Sequence, residues 1–198
     1  MVTDNSERRR YGGASFEDRQ SDRREKLVRA AIEVFGRWGR EGATVAAICA
    51  EAGLTPRYFY ESFPNSDALF LEAYREVQAE LLAEMAKAEG PDPVRSALTG
   101  FYTTLAAHQG QARVFLLDPH GREPDMQAAG EPTARRLADL FAPGVTAPLA
   151  LAGMRGAIIQ IARSWIAGGF VEPVETVVDT ALAYARAAAG APNQGAHR

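Results

Sequence analysis

The chain has 198 residues, 22 of them Lys or Arg and 25 Asp or Glu, for a formal net charge of −3. That balance excludes a polybasic coating protein, whose hold on nucleic acid would show in the total charge, and the 46 % apolar fraction is that of an ordinary globular protein long enough to bury a core. One cysteine, Cys49, excludes an internal disulfide framework, and His108, His120 and His197 form no H-x-x-x-H pair, so no Cys-rich or helical zinc site and no cofactor is expected.

Residues 1–20 are polar, include Gly12-Gly13 and read as a disordered arm. The first 25 residues contain no apolar block, so no signal peptide is expected. Positive charge gathers early: residues 8–29 hold eight basic side chains, including Arg8, Arg9, Arg10, Arg23 and Arg24, against four acids. From Asp22 a helical period appears, with Leu27, Ala30, Ala31, Val34, Phe35 and Trp38 at spacings of three and four, and Gly39 and Gly42 end it. Thr44 is placed to cap a short helix from Val45 to Glu51 or Ala52, and Gly53 to close it in a left-handed conformation. Thr55 caps the next helix, with Pro56 at its first position, where no backbone donor is needed, and Arg57 to Glu61 in its body.

Phe63-Pro64-Asn65 breaks the chain, and Ser66 is expected to cap a long helix whose stripe runs Leu69, Phe70, Ala73, Tyr74, Val77, Leu81, Leu82 and Met85. After the linker Gly90-Pro91-Asp92-Pro93, a second amphipathic helix carries Val94, Ala97, Leu98, Phe101, Tyr102 and Leu105. Val114 to Leu117 is a short apolar piece leading to a turn at Asp118-Pro119-His120-Gly121. Helices are predicted over 124–141, 149–167 and Val174 to Ala189, with Gly168-Gly169 stopping the second of these. Pro148, Arg155 and Arg163 interrupt the most apolar stretch, which argues against a membrane span, and a cytoplasmic location is expected. No segment alternates with a period of two, so the fold class is all-α, with about nine helices and no internal repeat.

Residues 44–62 carry the sharpest pattern. Two short helices that cross closely need a small residue at the approach, supplied by Cys49 and Ala52. They also need a glycine at the turn, Gly53, and apolar anchors onto the first helix, Ile48, Leu54 and Phe59. The pattern is that of a helix-turn-helix, with another small helical hairpin as the alternative; in a helix-turn-helix the second helix would lie in the major groove with its N-terminal residues, Thr55, Pro56, Arg57 and Tyr58, toward base edges.

The stretch Leu27 to Leu69 resembles the TetR family of bacterial transcriptional regulators. The residues that carry the resemblance are Ala30-Ala31, Phe35, Gly39, Thr44-Val45, Ile48 through Thr55, Tyr58-Phe59-Tyr60, Phe63 and Asp67-Ala68-Leu69. It implies a three-helix DNA-binding domain at 21–65, a helical ligand-binding and dimerisation domain at 66–190, and a tail at 191–198. It also implies a homodimeric repressor, released from a pseudo-palindromic operator by a small apolar or amphipathic effector. Two positions depart from the family pattern. Ser62 stands where the family often has His, and Ser66 where it commonly has Lys; both of those residues supply phosphate contacts in family members. Ser brings no charge, so the basic stretch 19–29 and the Arg8–Arg10 arm are candidates to make up the contact, with a solubilising disordered tail as the alternative for the charge run.

Residue by residue, Thr44 offers its hydroxyl or backbone N–H to phosphate, with simple capping as the alternative. Arg57 can pair bidentately with guanine. Tyr60 offers its phenol to a phosphate oxygen, with core packing as the alternative, and Tyr58 either touches DNA or braces the next helix. Arg23, Arg24, Thr55, Pro56, Ser62 and Ser66 complete the expected DNA face. Cys49 is read as core rather than as a redox sensor.

In the second domain Phe101, Tyr102, Phe115, Met126, Phe141, Met154 and Trp165 are the candidates to line an apolar effector pocket, with bundle core as the alternative for each. Ala150, Gly153, Ala157 and Ile161, then Val174, Val178, Ala181, Leu182 and Ala185, suggest a two-fold interface through the last two helices. No Gly-rich phosphate loop, nucleophile elbow or paired metal ligands appear, so an enzyme is not expected. An effector-independent regulator or an activator under a protein partner's control is the rival reading.

Overall fold

The computed structural model describes residues 16–87, 89–116 and 124–190, and among them it contains nine helices and no strand. The elements are α1 (Phe16–Gly42), α2 (Val45–Ala52), α3 (Pro56–Ser62), α4 (Ser66–Met85), α5 (Pro93–Ala107), α6 (Gln109–Leu116), α7 (Pro124–Phe141), α8 (Pro148–Ala167) and α9 (Val174–Ala189). The arginines at 8–10, the turn around His120 and the tail at 191–198 lie outside the described residues.

Local chemistry sets the boundaries. Thr44 caps α2 by accepting from the Ala47 N–H at 3.1 Å, and Gly53 closes it at φ 65°, ψ 31°, a conformation that a Cβ would disfavour. Pro56 opens α3, and Asp92 caps α5 by accepting from the N–H groups of Val94 and Arg95. The cap of α4 is Asn65, not Ser66: the Asn65 side chain accepts from the Ala68 N–H at 2.8 Å, and Ser66 is already the first helical residue. Asn and Ser cap equally well, so adjacent cap residues leave the boundary open to a one-residue shift.

Two other elements differ from expectation. α1 begins at Phe16, so residues 16–20, assigned to the arm, are helical. Residues 18–22 are exposed, and an exposed turn leaves no apolar period to read. The regular part of α1 ends at Gly39, at φ 69°, ψ 175°. Of the apolar piece at 114–117, Leu117 lies outside the described residues, and residues 114–116 are the end of a helix, α6, whose first turn is polar. Too few of its eight residues are buried to form a stripe.

Two apolar cores result. One gathers Leu27 to Phe35 of α1, Ile48 and Cys49 of α2, Phe59 and Phe63, and the first half of α4 through Val77, together with Val114 of α6 and Met126 of α7. The other gathers Leu81 and Met85 with α5, α7, α8 and α9. Helix α4 therefore belongs to both. Where α1 crosses α6 the approach is backbone to backbone: a Cβ on Gly36 would stand 2.6 Å from the Cα of Gly110. Only glycine at position 36 allows this contact.

Candidate functional site

At the outer end of the first core, the α2–α3 pair presents a polar and aromatic face. Thr44, Thr55, Pro56, Arg57, Tyr58 and Tyr60 are all exposed, Tyr60 by 62 %, while Phe59 is buried and holds α3 down. Among the described residues Arg57 reaches only its own helix, donating from Nε to Glu61 at 2.9 Å, and that bond pushes its pKa further up. An exposed pair of this kind is weak and leaves the guanidinium free to turn to another acceptor. The thiol of Cys49 is buried and its pKa is raised by that burial, so it stays protonated.

The two arginines expected to make up for Ser62 and Ser66 behave differently. Arg23 lies 4.8 Å from the ring centroid of Tyr58, which sets a cation beside α3. Among the described residues its buried Nε has no hydrogen-bond partner. Arg24 works as a brace. It donates to the Ser62 carbonyl at 2.8 Å, pairs with Glu72 of α4 at 3.4 Å and lies over the Phe63 ring at 4.1 Å. Ser62 donates its hydroxyl to the Tyr58 carbonyl, closing the last turn of α3, and Ser66 is half-buried. A second tie, Arg40 to Asp67 at 2.8 Å, fixes α1 to the start of α4.

The second feature is a cleft of about 390 Å³ between α4, α6, α7 and α8. Tyr74 of α4 and Phe115 of α6 stack along one side at 6.0 Å. Leu137 and Phe141 of α7 and Ile158 and Ile159 of α8 form the apolar wall, and Ala152 and Gly156 leave room beside it. Gly130 of α7 keeps its place because a Cβ there would meet the Tyr74 hydroxyl at 3.3 Å. Thr133, on the wall, donates to Gln78 of α4 at 2.6 Å, a bond buried between the two helices. Among the described residues, Arg155 and Arg163 of α8 are the charged residues of the wall, and no Asp or Glu lines it.

Of the seven residues expected to line a pocket, Phe115 and Phe141 stand on this wall. The other five are core. Tyr102 is fully buried and donates to the Ile158 carbonyl at 3.0 Å; burial raises its pKa. Phe101 packs edge-on to Phe141, and Met154 lies in the same core. Trp165 locks the α8–α9 turn by donating to the Glu172 carbonyl at 2.9 Å. Met126 lies in the other core, under the reading head. A similar sorting holds on the last two helices. Val178, Ala181, Leu182 and Ala185 are at most 2 % exposed within the single chain, so they have no surface to offer a partner. Gly153 is exposed, and Ala150, Ala157, Ile161 and Val174 are half-buried. The physical reason is that a helix's most apolar stripe packs on its own chain first. A shallow groove along α8 and α9, lined by Ala157, Gln160, Ile161, Ser164, Thr176, Thr180 and Tyr184, is the accessible remainder.

Residues 27–73 match the family model described as bacterial regulatory proteins, tetR family. The helix-turn-helix segment is a tetR-family regulatory domain. The matched segment runs from the buried stripe of α1 to Ala73, inside α4, and so contains the whole helix-turn-helix. Solved structures of TetR-like proteins share the wider fold. A TetR-like transcriptional regulator from Rhodococcus sp. RHA1 superposes with a TM-score of 0.64 at 22 % identity, covering 85 % of this chain and 97 % of that one. The fatty acid degradation regulator FadR from Bacillus halodurans gives 0.64 at 17 %, covering 89 % and 97 %. FadR from Bacillus subtilis, solved in complex with stearoyl-CoA, gives 0.63 at 14 %, covering 87 % and 99 %. At these identities the likeness establishes the fold alone. No curated protein matches by sequence.

In the cleft, sequence reasoning passed over Tyr74, Thr133, Gly130 and Gly156 as lining residues and Arg155 as anything but a break in an apolar run. For Arg155 a signal was present, since a cation inside an otherwise apolar helix calls for a reason. For the others there was none, because facing the cleft depends on helix rotation. Among the described residues no helix is long and apolar enough to cross a membrane.

Proposed function

We propose that this TetR-family protein is a cytoplasmic, non-enzymatic, homodimeric repressor that leaves its operator when a small amphipathic ligand occupies the α4–α8 cleft. In this reading Arg57 meets a guanine edge, Thr55, Pro56 and Tyr58 complete the base-facing turn, and Thr44, Tyr60, Ser62 and Ser66 meet phosphates. Arg23 supplies the nearby cation, and Arg24 acts mainly by holding α3 against α4. Two heads joined along the exposed faces of α8 and α9 read half-sites roughly 10 bp apart or slightly more.

The observation that carries the proposal is that one helix serves both sites. Tyr74 is a wall of the cleft, and four residues earlier Phe70 stacks on it at 6.5 Å and meets Phe35 of α1 edge-on at 4.8 Å. Arg40–Asp67 and Arg24–Glu72 fasten α1 to the same helix. A ligand that favours one setting of α4 thereby favours one spacing of the heads, provided its affinity differs between the two settings. The ligand bound in the Bacillus subtilis neighbour, stearoyl-CoA, shows what a TetR-like fold can accommodate.

A genome-wide binding map with the purified full-length protein tests this reading. Inverted repeats with half-sites about one turn apart are expected, together with a dimer mass by light scattering. Binding without sequence preference, or a monomer on a single half-site, would overturn it.

A further inference from the structure

Among the described residues, the cleft wall is apolar apart from Tyr74, Thr133, Arg155 and Arg163. The two arginines are not equivalent. Arg163 donates from Nε to the Leu116 carbonyl at 2.7 Å, the last carbonyl of α6, so its charge caps a helix C-terminus. Arg155 is half-buried, and among the described residues it has neither an ion pair nor a hydrogen bond. A guanidinium held beside apolar surface without a counter-charge is unfavourable, because the low-dielectric wall strengthens its attraction to any anion while removing part of its hydration. Its planar set of donors matches a carboxylate or a phosphate bidentately.

We propose that the ligand of this cleft is an amphipathic anion, with a hydrocarbon body lying along Phe115, Leu137, Phe141 and Ile159 and an anionic head held by Arg155. The inference rests on the effector reading above and narrows it to a chemical class. Phe141 and Leu137 reach the cleft from α7, opposite α8, so a flexible chain fills the space between the two helices. Gly156, one residue from Arg155, presents open space: a Cβ there has no heavy atom within 4 Å. That glycine provides an independent means of blocking the cleft without clashing with the fold.

The test is binding of three ten-carbon probes, decanoate, 1-decanol and decylamine, below their aggregation limits, to the full-length protein by calorimetry. Decanoyl-CoA is a fourth arm, because the anion can be a free carboxylate or the phosphates of a thioester carrier. Decanoate or decanoyl-CoA is expected to bind at least tenfold tighter than decanol, and decylamine weakest. Arg155→Gln is expected to reduce the anion to the affinity of decanol, with Arg155→Lys restoring part of the difference. Gly156→Leu is expected to abolish binding of every probe. A thermal melt of each variant confirms that the fold is intact. Equal affinity for decanol and both anions, or an Arg155→Gln protein that keeps its preference, would overturn the anionic head while leaving the cleft as the effector site. Absence of binding by all four probes would overturn the anion proposal and weigh against the effector reading as well. Binding that survives Gly156→Leu would place the ligand elsewhere and overturn the proposal.

Discussion

The reading head and the body behind it use apolar residues differently. In the head, α1 and the two short helices α2 and α3 hold a small core, and the α2–α3 face presents the cap residues Thr44 and Thr55, Arg57, Tyr58 and Tyr60, whose positions follow from the backbone turns at Thr44, Gly53 and Pro56. In the body, long helices have apolar residues on more than one face, and those faces divide among core, cleft and exposed groove. The difference shows that the head's surface is set locally, whereas the body's is set by how helices rotate against each other. It also explains why the junction matters: α4 and the Gly36–Gly110 crossing are where the two kinds of region meet.

The sharpest way to break that junction is Gly36→Ala. Its Cβ would meet backbone, not a movable side chain, so α1 and α6 must separate, at about 1–3 kcal/mol less the smaller helix-propensity gain of Ala. Gly110→Ala makes only a 3.9 Å contact with the Gly36 Cα and should be neutral or slightly stabilising. Thermal or urea unfolding of both variants checks the asymmetry; equal effects would mean that the crossing is not backbone-limited.

On the head alone, Arg57→Ala should lower operator affinity by about tenfold and relax the preference at one base pair per half-site, without moving the melting temperature. A fluorescence titration with matched and substituted operators measures both. A gentler change is Ser66→Lys, which should raise affinity and steepen the logarithmic salt dependence by about one ion per half-site. An unchanged slope would mean that position 66 does not face phosphate.

How far the sequence was legible follows the same division. Thr44, Gly53 and Thr55-Pro56 announced the helix-turn-helix because caps and turns are encoded in one or two residues, and α2 and α3 form there. The spans of α7 and α9 match the helices predicted over 124–141 and Val174 to Ala189. The first turn of α1 and the start of α6 were not, since neither buries a stripe. In the body, Tyr102 and Trp165 looked like pocket residues and are core, each with a buried donor satisfied by a carbonyl. Nothing in the sequence distinguishes an aromatic that faces a cleft from one that faces another helix.

The smallest expected effect belongs to the body. Asp92 accepts from the Arg95 N–H and from Arg186 of α9, and these bonds hold its carboxyl below its ordinary value of 3.8. A depressed folded-state pKa gives a contribution that is present above the unfolded value and lost as the pH falls through the folded one. Asp92→Asn keeps a capping oxygen but removes the titration, so the fall in melting temperature below about pH 4 should be slightly shallower than in the parent. Identical acid profiles would remove Asp92 from the acid response.

The coupling of cleft to head is tested most directly by the operator affinity of the full-length dimer, measured by fluorescence anisotropy with and without saturating decanoate, after calorimetry has shown that decanoate is bound. The expected result is a dissociation constant raised by about 5- to 150-fold, the range of a coupling free energy of about 1–3 kcal/mol. An unchanged dissociation constant with the cleft occupied would contradict the linkage through α4.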